Sequence, residues 1–462
     1  MHTHIADGSI RSPRLSLWLR VREFAVPPSM IETSTARRLV GDWAGACAAA
    51  GVDVDLRPRS VARTHGSELA GRLRLDLRHL APDLLRWHMP RIAPDGLLRP
   101  GLTLTLARYD RAEGAGPLHL VARTPPAWAD AGQRISLGLW DGSRDEPGAR
   151  RHPHPRPDPR FRLDLHRHLW DARRTDELRD RSGADLPPSE PHTAGCVPQG
   201  YRCATDRWAA EAALLLHAEG RSTRTVSVRL GSRRRLELHL AEEGDGAGST
   251  VVRIPTAATP SGAPAPPVLP DAATWVLPDL DLLRTGSVEP GRLHPLVASA
   301  LVPGHAPAGP SPASGPAGQP HLVDCRGSRH RIGLVDGALF PLDHDRAEIR
   351  REELLAALTG TPLPCLRAID AAHRRPDSLA GVRERLDHGD TAGALAVVES
   401  LLGPDALLRD GALRDELGTA ARRRIAYGLF RADLTGPGPR PRPGDQLPGI
   451  RPHRERPSHP RR

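Results

Sequence analysis

One apolar stripe near the N-terminus constrains the fold of this 462-residue chain more than any other local pattern. Within Ser34–Gly51, the side chains that recur at spacings of four, four and three are Leu39, Trp43, Cys47 and Ala50. This spacing is typical of one face of an amphipathic helix, and it predicts a single helix across the segment. Thr33 or Ser34 would cap the start of that helix, and Gly51 would end it.

A second helical pattern follows in Gly66–Pro90. Its apolar residues are spaced four, four, three, four and three, which favours a helix, although Leu73, Leu75 and Leu77 also alternate as a strand would. Pro82 lies inside the pattern. Since proline breaks a helix but suits its first turn, the segment is predicted to form two helices, the second beginning at Pro82.

Period-two alternation predicts strands on either side of this helical region. They are expected at Leu15–Val21, Leu102–Leu106, Leu118–Ala122 and Ile135–Leu139. One strand, two helical segments and three strands with short connections indicate an α+β domain with a mainly antiparallel sheet.

Changes in composition divide the chain into five predicted segments. They are a mixed α+β domain at 1–146, an Arg/Pro linker at 147–160, a β-rich mixed domain at 161–345 with a disordered insertion at 303–320, a C-terminal helical bundle or short helical array at 346–435, and a disordered basic tail at 436–462. The linker and tail are rich in proline and arginine and poor in apolar residues, so little in them favours compaction.

The predicted elements of the β-rich domain are mostly short. They are a strand at Phe161–Leu165, a helix at Asp206–Gly220, strands at Val226–Leu230, Leu236–Leu240 and Thr250–Ile254, and three further strands between His321 and Leu342. The last three form a predicted meander that is expected to complete the sheet of this domain. Beyond them, apolar stripes separated by Gly or Pro predict the helices of the C-terminal module.

The charge of the chain is unevenly placed. Of the net charge of +10, Pro147–Arg162 carries +4 and Gly436–Arg462 carries +5, so the remaining residues are nearly neutral. The basic character therefore belongs to the two Arg/Pro segments, which are the candidate contacts for nucleic acid.

The residue types that are missing exclude several kinds of chemistry. All 65 basic residues are arginine. Schiff-base catalysis, a Walker phosphate loop and a protein kinase site each need lysine, so they are excluded. The five cysteines are scattered and odd in number, which does not indicate a disulfide framework. With no apolar signal sequence or membrane-length apolar run, the sequence predicts a cytoplasmic location and no membrane association.

Asp343, His344 and Asp345 place two carboxylates beside an imidazole after a predicted strand. This is a candidate site for a metal-assisted hydrolase, toward which Asp324 and Asp336 could converge. The alternative is a solvated turn that caps the following helix. Because no second ligand cluster stands at a recognisable spacing, the turn is the favoured interpretation.

Three other groups of residues have weaker chemical signals. The candidate zinc ligands are His192, Cys196, Cys203 and His217; six residues separate the two cysteines, which is not the spacing of a zinc knuckle. Gly244–Thr250 is similar to a phosphate loop but lies between strands and has no lysine, which favours a turn. Trp87 and His88 at a helix end are interpreted first as a packing pair. The sequence assigns no catalytic residue, metal or cofactor.

Four stretches, Ala36–Val54, Leu80–Arg91, Arg331–His344 and Glu348–Asp370, resemble a group of uncharacterised proteins from GC-rich bacteria. The resemblance implies no activity, cofactor or site residue. The sequence therefore predicts a non-catalytic protein-interaction or regulatory component of a cytoplasmic multi-protein bacterial system. The alternatives are a nucleic-acid-associated factor acting through the Arg/Pro segments and a metal-assisted hydrolase using Asp343, His344 and Asp345.

Overall fold

The computed structural model describes most of the chain. The described residues are 13–111, 116–129, 133–142, 152–186, 202–231, 234–240, 250–253, 265–305, 321–325, 327–335, 338–341, 343–359, 364–366, 376–402 and 412–434. The predictions for 147–151, 306–320 and 436–462 lie outside these ranges, as do residues 244–249 of the glycine-rich turn.

Helices lie along the whole described chain. They are α1 (Pro13–Phe24), α2 (Pro28–Leu39), α3 (Trp43–Ala49), α4 (Pro58–His65), α5 (Ser67–His79), α6 (Pro82–His88), α7 (Leu178–Ser182), α8 (Trp208–Ala218), α9 (Asp271–Thr274), α10 (Pro278–Arg284), α11 (Pro295–Leu301), α12 (Arg346–Thr359), α13 (Pro376–Asp387), α14 (Thr391–Leu402) and α15 (Ala412–Arg431). The two helices predicted on either side of Pro82 are confirmed as α5 and α6. Within the described ranges, no helix has the length and apolar character needed to cross a membrane.

The strands form several small sheets. They are β1 (Val52–Val54), β2 (Arg91–Ile92), β3 (Leu97–Leu98), β4 (Thr103–Tyr109), β5 (Leu118–Arg123), β6 (Ile135–Trp140), β7 (Thr225–Leu230), β8 (Arg234–Leu240), β9 (Thr250–Arg253), β10 (His321–Cys325), β11 (Ser328–Val335) and β12 (Ala338–Pro341). The first sheet has the order β1-β6-β5-β4 and is antiparallel except for the β1–β6 pair. The α+β class and the mainly antiparallel first sheet are confirmed.

The strand predicted at Leu15–Val21 is wrong, because this segment is helix α1. Over so short a segment, four alternating apolar residues are compatible both with the two-residue period of a strand and with the 3.6-residue period of a helix. Tertiary contacts favour the helix, since Trp18 and Arg22 lie one turn apart on it and Arg22 is hydrogen-bonded to Asp279 in α10.

The single helix predicted at Ser34–Gly51 is also wrong. The chain turns at Gly41, which has a positive φ of 79°, and Asp42 then caps α3 by accepting a hydrogen bond from the Gly45 N–H at 2.8 Å. Ser34 is no cap; it is buried inside α2 and its hydroxyl donates to Asp83 Oδ1 at 3.0 Å. Gly51, with φ of 69°, follows the end of α3 as predicted.

Residues 152–160 do not form the predicted Arg/Pro linker, because they pack beside β4. His152 is buried and its Nε2–H donates to the Thr124 carbonyl at 2.8 Å. The Asp158 N–H donates to the Thr103 carbonyl at 2.9 Å, and Arg160 forms a bidentate ion pair with Asp271. The Arg/Pro composition predicts polar groups hydrogen-bonded to water, but here these groups are hydrogen-bonded within the protein.

The largest apolar core crosses the boundary predicted between residues 146 and 161. It joins α5, α6 and the first sheet to Phe161, Leu163 and Trp170 and to α10 and α11. Phe161–Leu165 is not a strand beyond one isolated bridge between Thr105 and Arg162. The residues after 160 therefore belong to the first core as much as to a second one.

A second apolar core forms between α8 and strands β7 and β8. It includes Trp208, Ala212, Leu215 and Leu216 on the inner face of α8. The β10-β11-β12 meander is also confirmed, but it is a separate three-stranded sheet and does not complete the β7-β8-β9 sheet.

The C-terminal helices α13, α14 and α15 share a small core of their own around Val382, Leu386, Ala394 and Val398. The end of α15 also contacts the β1 region. The Tyr427 hydroxyl donates to Asp53, and Arg431 Nη1 donates to Asp55 Oδ2 at 2.7 Å. These polar contacts hold the helical module against the edge of the first sheet.

Candidate functional site

A cavity of about 480 Å³ lies where the two larger cores meet. Its walls come from α1, the end of α6, the Arg160–Leu169 segment and the chain around α9. The volume falls within the range of pockets that hold small organic molecules. This cavity is the candidate functional site.

Much of the cavity wall is apolar. Trp18 of α1, Phe161 and Trp275 contribute aromatic side chains, and Leu104 and Leu163 contribute aliphatic surface. Phe161 belongs to the first core, whereas Trp275 packs against the second. A molecule bound here would therefore contact both cores through apolar surface.

Four of the seven arginines that line the cavity are paired with buried or half-buried carboxylates. They are Arg22 with Asp279, Arg160 with Asp271, and Arg181 and Arg207 with Glu211. The bidentate geometry of the Arg22, Arg160 and Arg181 pairs fixes these guanidinium groups in place.

Glu211 holds one side of the cavity together. It accepts hydrogen bonds from Arg181 Nε at 2.7 Å and from His166 Nε2 at 3.1 Å, as well as from Arg207. Burial raises the pKa of Glu211, but the hydrogen bonds from His166 and Arg181 outweigh this effect and hold the pKa well below its usual range. The carboxylate is therefore fully ionised at neutral pH.

The other three arginines of the cavity, Arg14, Arg91 and Arg99, have no carboxylate partner within the described ranges. Seven arginines and three carboxylates leave four positive charges in excess around the cavity. An excess of this sign attracts an anion, and weakly hydrated guanidinium groups bind carboxylate and phosphate well.

Arg91 is the most constrained of the three. Its Nη2 donates to the Arg86 carbonyl at 2.8 Å and its Nη1 lies 3.4 Å from the Gly96 carbonyl, while its Nε is buried and has no hydrogen-bond partner in the described parts of the chain. Burial, followed by the charges of Arg86 and Arg22, lowers the pKa of Arg91 well below its usual range. Arg91 is half-buried, and a cation that is partly removed from water without a counter-ion carries a cost that a bound anion would offset.

Two histidines add hydrogen-bonding groups to the lining. Burial lowers the pKa of His88 to about 4 and that of His168 well below its ordinary value, so both are neutral near pH 7. His88 Nδ1–H donates to the Leu169 carbonyl at 3.1 Å, which leaves Nε2 as an acceptor. Among the described residues, neither His88 Nε2 nor His168 Nδ1 has a hydrogen-bond partner.

The candidate residues Asp343, His344 and Asp345 do not converge on one another. Asp343 accepts hydrogen bonds from the backbone and guanidinium of Arg331, at 2.6 and 2.8 Å, and these bonds lower the pKa of Asp343 to about 2. Asp345 is exposed. His344 instead lies beside Cys365, with 3.7 Å between Nε2 and Sγ.

The remaining candidates are likewise dispersed. Asp324 is exposed and lies 3.6 Å from Arg329, and Asp336 lies outside the described residues. Among the candidate zinc ligands, His192 and Cys196 are outside the described ranges, Cys203 is half-buried beside Trp275, and His217 is exposed on α8.

Sequence reasoning missed the cavity because its arginines come from seven places in the chain. Among the candidate residues of the sequence, the Trp87–His88 pair is the one beside the cavity. Trp87 is a buried packing residue, as predicted, and its indole Nε1 donates to Asp279 at 3.2 Å. No protein-family model, curated protein or solved structure matches this chain.

Proposed function

We propose that this protein is a regulatory component that binds a small organic anion with an apolar body in the arginine-lined cavity. The observation that carries the proposal is Arg91, a guanidinium whose Nε is buried at the cavity without a carboxylate partner among the described residues. Arg14 and Arg99 supply further positive charge. The aromatic walls supply the surface for the apolar body of the ligand.

A regulatory role is supported by the place of the cavity between two cores. Trp18 in α1 and Phe161 contact the first core, and Trp275 contacts the second. A ligand that touches all three side chains joins elements that are far apart in the chain, and its binding free energy adds to the stability of that arrangement. The ligand concentration then controls the population of the conformation that a protein partner binds.

Three model anions and their neutral or purely ionic counterparts test the binding proposal. On the full chain, we expect 1-naphthyl phosphate, octanoate or 8-anilinonaphthalene-1-sulfonate to raise the melting temperature. The two naphthyl compounds should also quench tryptophan fluorescence. Inorganic phosphate lacks the apolar body and 2-naphthalenemethanol lacks the negative charge. We therefore expect the affinity of each, measured by calorimetry, to be at least about tenfold weaker. The proposal is wrong if no anion of the panel binds, or if the neutral alcohol binds as tightly as the anions.

Arg91→Met should separate ligand binding from stability. Charge-assisted hydrogen bonds contribute about 1.5–3 kcal/mol, so we expect affinity for the bound anion to fall by at least about tenfold. Arg91 is half-buried and has no carboxylate partner among the described residues, so its removal should change the free energy of unfolding by less than about 1 kcal/mol. Titration calorimetry and urea unfolding of the same samples measure the two quantities.

Arg59→Gln is the matched control, because Arg59 is exposed on α4, far in sequence from the cavity lining. It should leave both affinity and stability unchanged. Equal loss of affinity in the two variants would place binding on the basic surface in general and contradict the assignment to the cavity.

A further inference from the structure

A cluster of two cysteines and one histidine lies apart from the arginine-lined cavity. It consists of Cys325 at the end of β10, His344 in the loop after β12, and Cys365 in the short helical turn at 364–366. One ligand atom from each residue lies within 4.8 Å of the other two. Both cysteines are fully buried, and the side chain of His344 is only 5% exposed.

The surrounding contacts hold His344 in place. Arg331 in β11 binds the neighbouring Asp343 through its backbone N–H at 2.6 Å and its Nη2 at 2.8 Å, which fixes the loop against the meander. On the following helix, Glu348 Oε2 lies 3.5 Å from His344 Nδ1. This directs His344 Nε2 toward Cys365 Sγ, 3.7 Å away.

A carboxylate behind a histidine is the usual support for a metal ligand. The carboxylate accepts the Nδ1–H, fixes the tautomer and makes Nε2 a better electron-pair donor. On the other side, the ring of His330 stacks on His344 with 4.2 Å between centroids, and His330 Nδ1 is buried without a hydrogen-bond partner in the described residues. A polar group that can hydrogen-bond a metal-bound water is thus next to the cluster.

The cluster also has apolar contacts. Among the side chains that the structure describes, Val323 and Leu366 pack against the two buried cysteines. A metal bound by these residues would add a crosslink between the meander and the 364–366 turn.

We infer that Cys325, His344 and Cys365 bind a structural Zn²⁺ ion, with the fourth position left to water. Thiolate and imidazole ligands are those that zinc prefers. On binding, each thiol gives its proton to solvent, and two thiolates then balance the charge of the ion. The resulting centre is neutral, which suits its burial, and it crosslinks β10, the β12 loop and the 364–366 turn.

Metal analysis of the full chain, reduced and supplied with Zn²⁺, is the direct test. We expect about one zinc per chain after dialysis. Replacing Zn²⁺ with Co²⁺ should give the intense visible bands of a tetrahedral site and a near-ultraviolet sulfur-to-cobalt band whose strength corresponds to two thiolates. These spectra identify the metal ligands in the chain without any substitution, so the test does not require that a variant folds.

Variants then identify the ligands. Cys325→Ser and Cys365→Ser should each lose stoichiometric zinc and weaken the sulfur-to-cobalt band, whereas Cys203→Ser, which alters a half-buried cysteine outside the cluster, should keep both. Glu348→Gln should weaken zinc affinity by about 10–100-fold, because it removes the charge behind His344.

The inference is overturned if the reduced chain takes up no stoichiometric Zn²⁺ or Co²⁺, or if both cysteine variants keep the metal. It is also overturned if mass analysis shows a Cys325–Cys365 disulfide and the reduced protein still binds no zinc. None of these outcomes bears on the anion cavity, whose residues are separate from the cluster, so the two proposals succeed or fail independently.

Discussion

Replacing Asp279 with alanine should lower the free energy of unfolding by about 3–5 kcal/mol. Asp279 is completely buried. It accepts hydrogen bonds from Arg22 Nε at 2.7 Å and Arg22 Nη2 at 2.8 Å, and both of its oxygens lie 3.2 Å from the indole nitrogen of Trp87. One carboxylate therefore links α1, α6 and α10.

The large effect follows from what the substitution leaves behind. Arg22 stays buried over the ring of Trp87, with its guanidinium carbon 4.3 Å from the ring centroid, and keeps only its hydrogen bond to the Trp87 carbonyl. A buried cation deprived of its counter-ion costs more than the pair itself contributed. Removing both charges should therefore be less harmful than removing one.

Urea unfolding of three variants measures how the free energy of unfolding changes when one charge or both charges of the pair are removed. Asp279→Ala should lose the full amount, and the double variant Arg22→Met with Asp279→Leu should recover most of it. Asp110→Ala is the control, since the Asp110 carboxylate is 84% exposed beside Arg108 and should contribute less than about 1 kcal/mol. A loss below about 1 kcal/mol in the single Asp279 variant would show that the pair is not the link described here.

The parts of the fold that the sequence predicts well are those in which the signal is local. The apolar spacing in α5 and α6 extends over several turns, and Pro82 has one physical consequence there, so both helices were predictable. At Ser34–Gly51 the apolar spacing predicts one continuous helix, but the better guide is Gly41 followed by Asp42, which marks the boundary between two helices. A positive-φ glycine and a capping aspartate end one helix and begin the next.

The sites were not predictable for a related reason. Arg14, Arg91 and Arg160 meet at the cavity only after the chain has folded, and a single arginine in a sequence does not reveal whether a carboxylate will lie beside it. Cys325 and Cys365 are similarly distant, so no chelate spacing marks them. Composition misled at 152–160, where proline and arginine suggested disorder but backbone donors and His152 are bonded to the first sheet.

Acidification should destabilise this protein steeply between about pH 7 and pH 5. Burial lowers the pKa of His88, His152 and His388 to about 4 each, and it lowers that of His168 well below its ordinary value. When the chain unfolds, these side chains return to a pKa near 6.5. Between the two values the unfolded state binds more protons, so stability is complete above about pH 6.5 and is lost as the pH falls toward 4.

The size of the effect comes from the number of buried imidazoles. Each of His88, His152 and His388 should cost about 2 kcal/mol between pH 7 and pH 5, and His168 adds to this loss, so the sum is comparable to the whole stability of an ordinary domain. At His152 the hydrogen bonds support the neutral form. His152 Nε2–H donates to Thr124, while its Nδ1 accepts from the His154 N–H at 3.1 Å, a bond that protonation of Nδ1 would break.

Urea unfolding at half-unit steps of pH tests this dependence, and His152→Gln tests its origin. The variant loses one buried imidazole, so the slope of stability against pH near pH 5 should fall by about 1.4 kcal/mol per pH unit. His217→Gln, which alters an exposed imidazole on α8, should leave the slope unchanged. A flat profile from pH 7 to pH 5 would contradict the prediction, because imidazoles kept neutral by burial in the folded state must couple folding to protons in this range.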